Sequence, residues 1–231
     1  MSRLRIVTWN CHSGSAAKRL AELADYDPHV VFLQECTAVD SEPTSCAVSR
    51  RTITGRKGIA LLAPANSCRC VARKTRDGCG RAVIAAQVLT PVRFRAIGIW
   101  ARGPHYAQDV VRTLQAHRGE LRRSPTVVIG DFNSGTRLGD RRSLSRNHHR
   151  ILDAFATVGM VSAYHAFHRI EPGAEQHATY FHQFNESLPW HIDFCFVPLG
   201  WTSHLVDVVV INSRQWKTRS DHRPLLVELE I

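Results

Sequence analysis

The chain has 231 residues, 44% of them hydrophobic, with 30 Lys plus Arg against 20 Asp plus Glu, 13 His and a net charge of +10. That length allows a sizeable core, and no apolar run approaches what a membrane span needs, so a membrane protein is excluded and a soluble globular one expected. Seven cysteines, odd in number and irregular in spacing, argue against a full disulfide framework, and with no secretory leader ahead of the first strand they point to a reducing, cytoplasmic setting.

Arg3 to Asn10 (RLRIVTWN) reads as a first strand ending in an amide. Ser15 to Asp25 carries Ala16, Ala17, Leu20, Leu23 and Ala24 at helical spacing, with Ser13 or Ser15 as its cap. After Asp27-Pro28 the apolar run His29 to Gln34 leads straight into Glu35. From Cys46 to Gln87 the pattern changes to short pieces, Gly58 to Ala63, Ser67 to Lys74 and Arg81 to Val88, broken by Pro64, Asn66 and Asp77-Gly78; these predict antiparallel strands. Cys68, Cys70 and Cys79, with Cys46, raise the question of a structural zinc, but C-x-C-x8-C lacks the paired spacing of such sites. The same stretch holds Arg69, Arg73, Lys74, Arg76 and Arg81, a basic ribbon over 69–81 that suits a polyanion and equally suits a solvated antiparallel face.

Val92 to Trp100 predicts another strand, and Tyr106 to Leu121 a helix with Val110, Val111, Leu114, His117 and Leu121 on one face. Thr126 to Ser134 (TVVIGDFNS) follows, apolar on both faces as a strand inside a sheet is, with Asp131 and Asn133 projecting to one side at its mouth. By itself this segment reads as well as an ordinary Asp/Asn/Ser turn. Residues 137–150 then bring Arg137, Arg141, Arg142, Arg146 and Arg150 with His148 and His149, a second basic loop placed to grip phosphates.

Arg150 to Val158 predicts a helix stopped by Gly159, His165 to His177 is polar and irregular, and Thr179 to Phe184 precedes the strand Trp190 to Val197. Alternation sets His191, Asp193 and Cys195 on one face of that strand and Ile192, Phe194 and Phe196 on the other. Ser220 to Pro224 (SDHRP) stands before a terminal strand, Leu225 to Ile231. With no repeat, low-complexity tract or linker, a single domain over 1–231 is the economical reading, with a monomer as the default.

The polar groups gathered at these strand ends are Asn10, Glu35, Asp131, Asn133, Asp193, Asp221 and His222. Carboxylates with amide oxygens, and no Cys or His pair at metal spacing, suit a hard cation such as Mg2+ or Mn2+, which is the chemistry of phosphoryl transfer. One imidazole beside an acid, with a second acid to orient it, suits a group held in one tautomer against developing charge.

TWN at 8–10, QE at 34–35, GDFN at 130–133, HIDF at 191–194 and SDHRP at 220–224, in that order, resemble the endonuclease/exonuclease/phosphatase superfamily of DNase I-like proteins, which includes exonuclease III and abasic-site endonucleases. Each motif is weak alone; five in order, each at an independently read strand end, are specific. The resemblance implies a four-layer α/β sandwich of two packed mixed β-sheets flanked by helices. It implies Asn10, Glu35 and Asp221 as metal ligands, Asp131 and Asn133 as the groups that aim the attacking water, and His222, partnered by Asp193, on the scissile phosphate. Where relatives place a phosphate-contacting His or Tyr this chain has Ile99-Trp100-Ala101-Arg102, so Trp100, Arg102 or Tyr106 is expected to contact substrate instead, with His191 added from the Asp193 face. The expected activity is metal-dependent hydrolysis of nucleic acid. The alternative is a phosphatase or phosphodiesterase on a small nucleotide, phosphoinositide or lipid headgroup, and a non-catalytic binding module is disfavoured because all seven positions are filled.

Overall fold

The computed structural model describes residues 2–37, 47–64, 67–80, 82–138 and 146–231, so Cys46, Arg81, Arg141 and Arg142 lie outside the described residues. The first half consists of β1 (Arg3–Asn10), α1 (Ala16–Glu22), β2 (Val30–Thr37), β3 (Ala47–Thr54), β4 (Lys57–Leu62), β5 (Arg69–Arg73), β6 (Val83–Thr90) and β7 (Phe94–Trp100). It continues through α2 (Tyr106–Leu121), β8 (Thr126–Asp131), α3 (His149–Ala156), β9 (Met160–Ser162) and α4 (Ala163–His168). The last part is β10 (Tyr180–Phe181), β11 (Pro189–Trp190), β12 (Asp193–Pro198), β13 (Leu205–Val210), α5 (Arg214–Lys217) and β14 (Leu225–Glu230).

The strands sort into two six-stranded sheets, β13-β14-β1-β2-β4-β3 and β5-β6-β7-β8-β12-β9, with β10 and β11 as a small separate pair. Three buried clusters define the layers between and outside them. The first joins Leu4, Ile6 and Phe32 of one sheet to Ala96, Val127 and Ile129 of the other. The second packs Ile97, Val128, Phe194 and Phe196 against Val110 and Leu114 of α2 and Ile151 and Phe155 of α3. The third seats Trp9, Val31 and Leu33 against Ala16, Leu23 and Trp216. Helix, sheet, sheet, helix is the four-layer α/β sandwich expected.

Local chemistry accounts for much of this. Ser15 caps α1 by accepting from the Lys18 amide, α2 buries Val110, Leu114, His117 and Leu121, and Gly159 turns the chain after α3 with φ +72°. The antiparallel pieces after Cys46 do pair, but they divide between the sheets: β4 joins the first, β5 and β6 the second. β3 and β13, which alternation did not mark, close or extend the first sheet, and part of the segment read as irregular from His165 is the short helix α4.

The topology sets up the site. β1 and β2 run parallel, as do β7 and β8, so Asn10 and Gln34 end at one level and Trp100 and Asp131 at another. β12 and β14 run antiparallel to these pairs, which brings the start of β12, Asp193, opposite Asp131 and the segment before β14 above Thr8. The ends carrying Asn10, Asp131 and Asp193, with the segment before β14, therefore reach the same rim. Gly130 has φ +144°, and a Cβ there would run into the carbonyl of Ile99 and the ring of Phe32. Gly130→Ala is expected to cost on the order of 3 kcal/mol, read by thermal unfolding, because the clash is with backbone in a packed core.

Candidate active site

Asn10 bolts the two sheets together at the rim. Its Nδ2 donates to Glu35 Oε1 at 3.1 Å and to Asp131 Oδ2 at 2.9 Å, while its Oδ1 accepts the His12 amide at 3.1 Å. Two carboxylate acceptors fix the amide orientation, since only the NH2 end can donate. The carboxyl of Asp131, fully buried, also accepts the Asn133 backbone amide at 2.8 Å and Asn133 Nδ2 at 3.1 Å. Asn133 holds that pose in the left-handed region, φ +47°, with its Nδ2 reaching the Ala101 carbonyl as well. The turn reading and the site reading of TVVIGDFNS thus merge: an Asp–Asn turn is what presents both groups.

Glu35 reaches the rim by a bulge. The pairing of β2 with β4 slips between Gln34 and Cys36, and Glu35 stands at the irregularity with φ +58°. Lys57 Nζ lies 2.5 Å from Glu35 Oε2. Burial alone would raise the Glu35 carboxyl, but hydrogen bonds from Lys57 and Asn10 hold it below its ordinary value.

His222 Nδ1 is 2.8 Å from Asp193 Oδ2, and the buried backbone amides of Ile192 and Asp193 both donate to Thr179 Oγ1 at 3.0 Å. Ser220 Oγ ties this segment to β1, donating to the Asn10 carbonyl at 2.7 Å and accepting the His222 amide at 3.0 Å. Burial works to lower the His222 imidazolium, but the Asp193 carboxylate overrides it and raises the group to about 9. With Nδ1 committed to Asp193, Nε2 is the ring nitrogen left for a ligand. Burial, joined by the like charge of Asp193, pushes the Asp131 carboxyl up.

Asp131, Asp193 and His222 offer ligand atoms within 4.8 Å of one another. The bond between His222 Nδ1 and Asp193 Oδ2, with Asp131 held by Asn10 and Asn133, suits proton and phosphate handling better than a cation. Glu35 and Asp221, with side chains 22% and 14% exposed, are open to solvent; with the Asn10 amide oxygen they are all oxygen donors, the chemistry that suits a hard divalent ion, and an ion taken up by Glu35 would compete with its bonds to Asn10 and Lys57. Cys11 takes no part, its thiol donating to the Gln34 carbonyl.

Not every expected residue arrives here. Trp100 ends β7 beside Asp131, with the Arg102 guanidinium 4.5 Å over its ring, and a cleft of about 520 Å³ opens alongside, walled by Ile53, Thr54, Gly80, Arg102 and Arg112. Tyr106 instead starts α2 and packs on the helix-side core. His191 precedes β12, so strand alternation does not govern it: its Nδ1 is bonded to the His177 carbonyl at 2.8 Å and its ring lies 4.5 Å from Tyr164 and 5.1 Å from Phe194. His148 also departs from the basic loop; it is buried on Phe194 with Nδ1 3.1 Å from Ser134 Oγ, and burial lowers it to about 3. Arg137 and Arg146 of that loop are exposed, as are Arg73, Lys74 and Arg76 of the ribbon, though Arg76 is paired with Glu120.

Four residues escaped the sequence reading. Lys57 is bonded to Glu35, His12 Nδ1 is 3.4 Å from Asp221 Oδ1, the Tyr180 ring lies 4.5 Å from the His222 ring, and Thr179 braces Asp193. Only the Thr-Tyr-Phe run in a polar stretch could have flagged the last two.

Glu175 steadies the flank by accepting from the Gly173 amide and from His165 Nε2, at 2.8 and 3.0 Å. Burial opposes ionisation there, but those bonds lower the carboxyl from 4.5 to about 2. Its contribution is complete above pH 4.5 and is lost as pH falls through about 2. Acid-titrated stability of Glu175→Gln is expected to run flatter than wild type across that window.

A two-sheet sandwich with a carboxylate–amide–imidazole rim defines a hydrolase of phosphate esters. The chain belongs to the Endonuclease/Exonuclease/phosphatase family, whose profile matches residues 7–222. No curated protein matches it in sequence. Among solved structures it is similar to the 3' phosphatase NExo from Neisseria bound to a product DNA hairpin, at 21% identity and TM-score 0.71, covering 99% of this chain and 100% of that one. It is also similar to an AP endonuclease from Archaeoglobus fulgidus, at 18% identity and TM-score 0.74 with 99% and 100% coverage. A third likeness is to D. rerio TDP2 complexed with a single-strand DNA product, at 15% identity and TM-score 0.67 with 100% of both chains covered. These likenesses share the fold.

Proposed function

We propose that this chain is a Mg2+-dependent nuclease, hydrolysing phosphodiester or terminal phosphate esters of nucleic acid in a cytoplasmic setting. The observation that carries the reading is the joined rim, in which Asn10 links Glu35 to Asp131 while His222 is held by Asp193. Nucleic acid is favoured by the net charge of +10, by the exposed Arg73, Lys74, Arg137 and Arg146, and by the DNA present in two of the similar structures.

Glu35 and Asp221, with the Asn10 oxygen, would hold the ion, Mg2+ or Mn2+. When bound, such an ion neutralises charge on the phosphate and polarises it. Asp131 aims the attacking water and accepts its proton, a task for which a raised carboxyl is suited, and Asn133 steadies that water. His222, cationic near neutral pH, donates from Nε2 to a phosphoryl oxygen as charge builds on it. Trp100 and Arg102 line the cleft where a neighbouring nucleotide would lie, the guanidinium, held over the buried indole, offering a charge.

The test is a panel of single- and double-stranded DNA, abasic DNA, 3'-phosphorylated DNA, RNA and small phosphoesters, run with Mg2+, Mn2+ and chelator. Cleavage of at least one nucleic acid, lost on chelation, is expected. Intact nucleic acids alongside a cleaved nucleotide or headgroup ester would overturn the substrate class, and full activity in chelator would overturn the metal requirement.

A further inference from the structure

Two cysteines have no part in this rim. The Cys68 and Cys70 sulfurs lie 3.2 Å apart, about 1.2 Å beyond a disulfide bond. Their environments differ. Cys68 is 5% exposed and its thiol lies 3.0 Å from the Thr90 carbonyl, whereas Cys70 is half-buried on β5, the outer strand of its sheet. The pairing of β5 with β6 slips between Arg69 and Cys70, a local irregularity of the kind that bends a strand. Cys79 does not join them: it precedes the start of β6, whereas Cys70 pairs with Val88 near that strand's end, about 16 Å away along the ladder. The C-x-C pair is therefore a dithiol of its own.

We propose that Cys68 and Cys70 form a vicinal dithiol that exchanges reversibly with low-molecular-weight disulfides. Cys70, the accessible member, is the entry point; its hydrogen bond with Cys68 holds its thiol below the ordinary value. The Cys70 thiolate attacks one sulfur of a disulfide RSSR, forming a mixed disulfide and expelling RS⁻, which takes up a proton. Cys68, already within reach, then attacks Cys70 Sγ, closing the Cys68–Cys70 bond and releasing the second RSH. The balance is dithiol plus RSSR to protein disulfide plus two RSH. A two-residue spacing makes a strained ring, which places the bond among the readily reduced, reversible disulfides. Cys70 is level with Val88 and Phe94, at the far end of β7 from Trp100 and about 20 Å below the rim, so the exchange leaves the candidate active site untouched.

The test uses the whole chain treated with oxidised glutathione, alkylated and mass-measured. Trypsin cleaves after Arg69, between the two cysteines, so the expected product is a species joining residues 58–69 to 70–73, lighter by two hydrogens than its parts and lost on mild reduction. Cys68→Ser should stop at a stable glutathione adduct on Cys70, and Cys70→Ser should take none in either peptide. An unlinked adduct on the wild type, no reaction, a link between two chains, or wild-type reactivity in Cys70→Ser would each overturn the proposal. Phosphoesterase activity is not a readout, so the outcome is independent of the function proposed above.

Discussion

His222→Ala is expected to lower kcat on the cleaved ester by about 10²- to 10⁴-fold, the usual loss for a positioned acid–base group. His222 has one nitrogen locked by Asp193 at 2.8 Å and sits with its residue only 4% exposed, so its cation meets a phosphate in a site with little water to screen it. Asp193→Asn should fall in the same range, because an amide cannot hold the imidazole cationic with Nε2 presented. The double variant should lose little more than either single one, since the two groups act as a unit. Removing the imidazole leaves Asp193 buried without its partner, which costs stability of its own. His222→Gln keeps a donor and fills most of the volume, and unfolding curves for all four variants separate lost folding from lost chemistry. Wild-type kcat in any folded His222 variant would sink the role.

Asp131→Asn should reduce kcat by a similar 10²- to 10⁴-fold, and added metal should not restore it. Asp131 accepts three donors, the Asn133 amide on Oδ1 and the Nδ2 groups of Asn10 and Asn133 on Oδ2. An amide at this position opposes an NH2 to one of those donors in either orientation, so both the proton acceptor and the pose of Asn133 are lost. Glu35→Gln provides the contrast. Its effect should appear as weaker metal binding, with activity recovering as Mg2+ is raised, because the carboxylate removed is a ligand rather than the acceptor of the proton. Recovery of Asp131→Asn by metal would reassign Asp131 to the metal site, and an unchanged metal titration of Glu35→Gln would remove Glu35 from it.

The strand ends were readable because each is a local pattern: an apolar run, then a polar group, as in Val127 to Asp131 or Val30 to Glu35. Alternation failed just outside regular pairing at the start of β12. His191 lies just ahead of β12, and its bond to the His177 carbonyl turns it toward Tyr164 and Phe194. His148, counted among the basic residues of its loop, is buried on Phe194, a placement that neighbours in sequence do not foretell.

By itself, then, the sequence determined which residues could do the chemistry, since carboxylates, amides and one imidazole at apolar strand ends follow from composition over a few residues. It also determined the helix α2, from its periodicity, and the strand β8, from its unbroken apolar run, neither of which needs a partner to be read. Only the tertiary structure decided that these ends share a rim, because sheet order and the direction of each crossover are non-local. It alone decided that a bulge aims Glu35, that Asn10 spans two sheets, and that Lys57, Tyr180, Thr179 and His12 stand beside the groups the strands deliver. Ser220 and Asn10, bonded at the same rim, stand 210 positions apart, and no local pattern encodes such contacts.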